Sequence, residues 1–320
     1  MAILVTGGTG FVGLHVIAAL AQAGEPLVSW STRGNPAPDA ERFLGSAAAR
    51  VTWVRGDILD LDGLRAAVRT HGVHGIIHGA AVTAIGDSER DKAYQAVRVN
   101  VGGTAAALEA GRLEGVSRFL YISSATVYGA GNPGVPLLEE TPCAPRGIYA
   151  ITKHAAEEIV LRYRSLFGLQ AAVLRISAPY GPLEQATAGR DLLSPLYTWC
   201  HAARCGQRVV IHKDLERDFT YVRDIANGIR LAWEAPTLQS PVYNLAAGRN
   251  VKFSDVLGAL AELRPGFTYE ITPGGGGFFE ESLRGPLAIG LAAGELGFAP
   301  RVGLREGLSE YLAWLDEHKD

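Results

Sequence analysis

The run Thr6-Gly-Gly-Thr-Gly-Phe-Val-Gly13 restricts the fold more than any other part of the chain. An apolar stretch, Ala2 to Thr6, leads into it, and Phe11, Val12, His15, Val16, Ala19 and Leu20 come after it at helical spacing. The glycines satisfy two spacings, Gly7-Gly10-Gly13 and Gly8-Gly10-Gly13, so side chains are missing where a strand must turn sharply into a helix. Open backbone N–H groups and the positive end of the helix dipole then face the same point, which suits a pyrophosphate, while Gly13 lets the helix pack closely. No Gly-Lys-Ser/Thr comes next, so the turn is not a triphosphate loop.

Beyond this turn the strand-to-helix alternation repeats. Strands are predicted at Leu27–Ser31, Val51–Arg55, Gly75–His78, Arg118–Ser123 and Ala171–Ile176. Helices are predicted near Leu61–His71, Glu89–Arg112 and Ile148–Phe167, the last with Ile148, Ile151, Ala155 and Ile159 on one face. Such alternation predicts an α/β fold, a doubly wound parallel sheet of the Rossmann type. The rhythm breaks after Pro179, where short strands at Val209–Ile211, Phe219–Val222 and Val242–Leu245 mix with helices near Asp191–Cys205, Val222–Glu234 and Ser254–Leu263. A last helix brings Leu304, Leu308, Tyr311, Leu312 and Leu315 to a core. Residues 1–178 therefore read as a dinucleotide-binding domain. Residues 179–320 read as a smaller mixed α/β domain, mainly for substrate, with some return to the first. Gly274–Gly277 reads as a flexible loop, or as a hinge beside the substrate.

Composition removes several classes of function. Thirty Lys and Arg against 33 Asp and Glu, with no basic run, argue against nucleic acid or an anionic membrane as partner. A chain that is 48% hydrophobic and 20% charged is not disordered. Cys143, Cys200 and Cys205 have no metal-ligand spacing and cannot all pair, so no metal and no disulfide scaffold are expected, and a reducing cytoplasm fits. Neither a signal core nor an apolar stretch of membrane length is present in the sequence, which reads as a cytoplasmic protein.

Two further places carry chemistry. An acidic residue at the end of the second strand would hold a ribose 2′-hydroxyl; Ser31-Thr32-Arg33 stands there instead, and a hydroxyl with a guanidinium suits a 2′-phosphate. NADP is therefore slightly favoured, with NAD open if Arg33 is only a solvated loop charge. Asp57, after the third strand, could accept from the adenine amino group or be a plain turn residue. Tyr149-Ala-Ile-Thr-Lys153 puts a phenol and an ammonium on one helix face. A phenol is a poor base at neutral pH unless a cation favours its anion, and Lys153 can supply that charge. Ser123-Ser124 offers a hydroxyl at the carboxyl edge of the sheet, where ligands of α/β proteins sit.

With these runs the chain resembles the extended short-chain dehydrogenase/reductases, the NAD-dependent epimerase/dehydratase family. The resemblance spans nearly the whole length: the Gly7–Gly13 turn, Gly56-Asp57, His78-Gly-Ala-Ala81, Asn100, Ser123 to Gly129, Tyr149 to Lys153, Pro179 to Pro182, and Arg217 to Val222. It implies that Ser124, five residues before Gly129, polarises the substrate oxygen. Tyr149 would be the acid/base; Lys153 would lower its pKa and hold the nicotinamide ribose, with Asn100 behind the lysine in a proton relay. Cofactor contacts are implied at Gly7, Gly10, Phe11, Val12, Gly13, Ser31, Arg33, Asp57, Ile58, Ala80, Tyr149 and Lys153, and substrate contacts at Thr83, Ser124, Arg217 and Arg284. Both arginines match positions that clamp a diphosphate; otherwise they are surface ion pairs.

Within the family, Ala80 to Ser88 and Ser124 to Gly129 look most like UDP-galactose 4-epimerases. Two departures matter. Ala178 stands where an Asn usually helps hold the nucleotide, and Ala125-Thr126 replaces the Asp-Glu pair that sugar 4,6-dehydratases use for water elimination. The expectation is hydride transfer at a secondary alcohol of a sugar, as a nucleotide-sugar 4-epimerase. A dehydrogenase or ketoreductase of a free sugar, sugar acid or small hydroxy compound is the alternative, and a cofactor-sensing regulator a remote one. The resemblance also implies a homodimer through the helices near Glu89–Arg112 and Ile148–Phe167.

Overall fold

The computed structural model describes residues 1–275 and 280–318, and places seven parallel strands in one sheet. Six come from residues 1–178: β1 (Ala2–Thr6), β2 (Leu27–Ser31), β3 (Val51–Arg55), β4 (Val73–His78), β5 (Arg118–Ser124) and β6 (Gln170–Ile176). The seventh, Val242–Leu245, lies beyond the break in the sequence rhythm and pairs with β6. The spatial order is Val242–Leu245, β6, β5, β4, β1, β2, β3. Chain order reverses between β1 and β4, which opens a crevice beyond the carboxyl ends of those two strands.

Alternate side chains of β1 feed two cores. Ile3 and Val5 pack with Leu14 and Ile17 of the helix Phe11–Gln22 and with Ile225 and Ile229 of the helix Val222–Glu234. Leu4 meets Leu64, Leu108 and Val160, from the helices Leu61–Thr70, Gly103–Leu113 and Gly147–Phe167. A third core joins the helices Pro195–Arg204, Phe253–Leu263 and Leu304–Glu317 through Leu196, Cys200, Val256, Leu260, Leu308 and Tyr311. In the same half, Arg208–Ile211 pairs in parallel with Thr268–Ile271. Of the glycine patch, Gly276 and Gly277 lie outside the described residues.

Two helices differ from what the apolar spacing predicts. The long helix expected over Glu89–Arg112 is divided by a π-helical stretch, Val97–Gly102. The wider turn presents Asn100 sideways, where its amide accepts from the Val82 N–H at 2.7 Å and donates to the Val82 carbonyl at 3.0 Å. In Gly147–Phe167 the buried face is not the isoleucine line but Ala150, Lys153, Ala156, Glu157 and Val160. Polar partners draw Lys153 and Glu157 inward, so Ile151 is left 48% exposed. On the neighbouring helical run Tyr94 is 75% and Val97 45% exposed.

Candidate active site

A cleft of about 720 Å³ occupies the crevice at the β1/β4 reversal. Its floor is the glycine turn. Gly7 has φ +71°, and a Cβ there would lie 2.8 Å from the Ala80 nitrogen, while a Cβ on Gly13 would lie 2.3 Å from the Gly7 carbonyl oxygen. Gly10 begins the helix Phe11–Gln22 without a capping side chain, so the first-turn N–H groups stay available to a ligand. The turn therefore fits a dinucleotide pyrophosphate. Thr6 Oγ1 and His78 Nδ1 share a 2.6 Å hydrogen bond, and His78 Nε2 reaches Thr104 Oγ1 at 3.0 Å, tying β1 to β4 just behind the cleft. Burial, with a smaller push from the Lys153 charge, lowers His78 to about 3, so this strut is neutral.

Every cofactor residue expected from the sequence lines this cleft: Gly7, Gly10, Phe11, Val12, Gly13, Ser31, Arg33, Asp57, Ile58, Ala80, Tyr149 and Lys153. Ser31 is buried and Arg33 exposed. Asp57 accepts from the Leu59 N–H at 3.0 Å.

Tyr149, Ser124 and Thr83 share the cleft. Burial raises the Tyr149 pKa, opposed first by the Arg190 charge and then by the Ser124 and Thr83 side chains. The sequence expectation assigned that opposing charge to Lys153. Its Nζ instead donates to the Ile122 carbonyl at 2.6 Å and lies 4.3 Å from the Tyr121 ring centroid. Burial lowers Lys153 to about 7, against the favourable charge of Glu157. The two serines also separate. Ser123 is consumed by Glu157, which it meets at 2.5 Å and which Arg175 also pairs at 2.8 Å. Ser124 Oγ accepts from Thr126 N at 3.3 Å and Thr126 Oγ1 at 3.0 Å, which leaves its own proton to donate.

Asn100 does not line the cleft. Besides Val82 its amide donates to Thr152 Oγ1 at 2.9 Å, so the contact expected behind Lys153 is taken by the backbone that precedes Thr83.

Arg217 and Arg284 both line the cleft and converge on Ser282. Arg217 donates to its hydroxyl at 2.6 Å, and Arg284 to its carbonyl at 3.0 and 3.2 Å. Burial lowers Arg217 to about 10, and burial plus the Arg217 charge lowers Arg284 to about 9. Two like charges held together in a partly desolvated cleft favour an anion beside them. Asp218 secures this wall by accepting from Leu287 N at 3.1 Å and Ala247 N at 3.2 Å, and burial still raises it to about 7.

Sequence reasoning missed Arg190 and Asp218. Asp218 stood inside a recognised run without a role; Arg190 sits in a loop with no periodicity to mark it. It also missed that Cys143, His154 and Glu157 bring potential ligand atoms within 4.8 Å of one another, although Glu157 is already held by Arg175 and Ser123. Among the described residues no helix is long and apolar enough to cross a membrane.

A doubly wound sheet with a glycine turn at its reversal point, facing a tyrosine and a lysine one helical turn apart, defines a dinucleotide-dependent α/β enzyme. The chain matches the NAD dependent epimerase/dehydratase family over residues 3–246 and belongs to that family. It is 30% identical to a UDP-glucose 4-epimerase of Erwinia amylovora over 295 residues, 85% of this chain and 86% of that one. It is also 30% identical to a dTDP-glucose 4,6-dehydratase of an Actinoplanes species, over 98% of this chain and 97% of the other. Among solved structures, MoeE5 in complex with UDP-glucuronic acid and NAD superposes with a TM-score of 0.81 at 28% identity, covering 99% of both chains.

Proposed function

We propose that the protein is an NAD(P)-dependent 4-epimerase of a nucleotide-linked sugar. The observation that carries this reading is the placement of Arg217 and Arg284, far apart in sequence, in the same cleft as Tyr149. Two half-buried guanidiniums suit the diphosphate of such a substrate. The relatives named UDP-glucose 4-epimerase support it, and Ala125-Thr126 argues against the dehydratases among them.

In this reading the Gly7–Gly13 turn holds the pyrophosphate, Asp57 and Ile58 the adenine end, and Lys153 the nicotinamide ribose. When bound, the dinucleotide supplies reversible hydride acceptance. Tyr149 takes the proton of the substrate hydroxyl and returns it after the sugar has turned its other face. Ser124 donates to the same oxygen, which shares the charge that develops on it. Asn100 acts at one remove, by fixing the Val82–Thr83 backbone. Residues 1–178 supply most of the cofactor side and residues 179–320 most of the sugar side. Ser31 and Arg33 favour NADP over NAD, and exposed Tyr94, Val97 and Ile151 supply the face for a homodimer.

Ala178, which lines the cleft where the family usually has Asn, favours a second reading as a dehydrogenase of a free sugar or sugar acid. One experiment separates the two. The purified enzyme is given UDP- and dTDP-sugars, then free sugars and sugar acids, with each cofactor. The first reading expects C4 epimers of a nucleotide sugar and no net cofactor reduction; steady NAD(P)H release with a free sugar or sugar acid establishes the second instead.

A further inference from the structure

Ser124 ends β5 and leads into the short turn Ala125–Tyr128, which divides its side chains between two surroundings. Ala125, Val127 and Tyr128 are buried, whereas Ser124 and Thr126 are half-buried and both line the cleft. The turn is anchored from behind. The Tyr128 hydroxyl donates to Asn244 Oδ1 at 2.9 Å and accepts from Arg175 Nη1 at 2.9 Å, and Gly129, at φ +74°, packs so closely that a Cβ there would collide with the Ala144 carbonyl oxygen. The Thr126 hydroxyl takes no part in that anchoring. Its one hydrogen bond among the described residues is to Ser124 Oγ at 3.0 Å, and the Thr126 N–H reaches the same oxygen at 3.3 Å.

A serine hydroxyl has two acceptor sites and one proton. With the Thr126 N–H on one site and the Thr126 O–H on the other, Ser124 has no capacity left to accept, and its proton faces the cleft. If Ser124 donated to Thr126 instead, its proton would be lost inside the turn and its oxygen would meet the cleft as an acceptor. The ligand decides between these two arrangements. The oxygen at which hydride leaves passes from hydroxyl to ketone, and a ketone oxygen only accepts, so it requires Ser124 as donor and Thr126 behind it. Without the Thr126 proton, Ser124 keeps a vacant acceptor site. A hydroxyl in the same cleft, that of Tyr149 included, then donates to Ser124 rather than to the substrate oxygen.

We propose that Thr126 is a positioning residue of the reaction, whose hydroxyl donates to Ser124 and so commits the Ser124 proton to the substrate oxygen. This rests on the reading of Ser124 as the donor to that oxygen. Thr126 needs no contact with sugar or cofactor to act in this way. Hydrogen bonds in a chain polarise one another, so its contribution grows as charge develops on the substrate oxygen. The effect therefore belongs to kcat rather than to KM.

The test is a double-mutant cycle on the intact enzyme: wild type, Thr126→Val, Ser124→Ala and the two combined, with thermal unfolding as the check on folding. It is run on the nucleotide sugar or free sugar that the enzyme turns over, because Ser124 has the same task in both readings of the function. Thr126→Val keeps the shape of the side chain and removes the proton. It should lower kcat by about threefold to tenfold, the range of one neutral hydrogen bond, and leave KM within about twofold. Thr126→Ala should match it, which sets aside crowding by the valine methyl, and Thr126→Ser should restore most of the loss. With Ser124 already replaced by Ala, Thr126→Val should cost nothing further. An equal cost with and without Ser124 overturns the proposal, as does a Thr126→Ser enzyme that stays slow or a Thr126→Ala enzyme at the wild-type rate. Unchanged turnover in Ser124→Ala itself overturns the role given to Ser124 in the proposed function, and the action of Thr126 with it.

Discussion

Along β1 and the helix after it, the cleft is shaped by absent side chains: Gly7 and Gly13 leave backbone exposed where any Cβ would collide. Across the cleft, residues 178–218 and 282–285 supply charged and hydroxyl side chains, Arg190, Arg217 and Ser282 among them, that converge from distant stretches of chain. The first wall is made by one continuous strand-turn-helix and exists once that unit forms. The second exists only when several segments have docked, held by Asp218 and Glu184. A backbone wall fits a ligand portion common to many enzymes, whereas a side-chain wall can change its ligand by single substitutions.

Breaking this contrast begins where the two walls meet. Tyr149→Phe keeps the ring and removes the proton, and turnover is expected to fall by about 10² to 10⁴ while the dinucleotide still binds. Loss of both together, by single-turnover kinetics and calorimetry, would show that the walls are not separable. Arg284→Ala should act on the second wall alone, weakening the nucleotide sugar about tenfold to a hundredfold as one charge-assisted contact, with cofactor binding unchanged. On the first wall, Ser31→Asp puts a carboxylate against a 2′-phosphate and should move the NADP/NAD preference toward NAD by about tenfold. A wild type that binds NAD more tightly than NADP contradicts the role given to Arg33.

The same contrast explains how much of the molecule was legible in the chain. The glycine turn, the strands of the first half and the helix Val222–Glu234 emerge from local patterns, because each pattern is buried by the next element along. The place of Tyr149, Lys153 and Ser124 at the cleft was legible since each sits in an element with a clear local pattern. Arg190 was not, because what marks it is an unpartnered Nε, a property of three-dimensional surroundings. The isoleucine line of Gly147–Phe167 misled for a related reason. An apolar stripe indicates the core only when nothing stronger competes for the interior, and here Glu157 with Arg175, and Lys153 with the Ile122 carbonyl, take the inward face.

That inward lysine gives the smallest effect, one of stability. Lys153 is buried, and its pKa drops from the ordinary 10.5 to about 7. Since the folded value lies below the unfolded one, the unfolded chain binds more protons between about pH 7 and the ordinary lysine value, and stability rises with pH across that window. Below about pH 7 the destabilisation is present in full; above the ordinary value it is gone. Lys153→Met keeps the aliphatic stem and removes the charge. It also strips the Ile122 carbonyl of its donor, a loss that does not vary with pH. The melting temperature of the variant relative to wild type should therefore be highest at acid pH and fall steadily as pH is raised past 7, whatever its absolute offset, while turnover is lost throughout. A difference that stays flat with pH would mean that the ammonium is already accommodated by the Ile122 carbonyl and the Tyr121 ring, and that this corner of the site is set before any cofactor arrives.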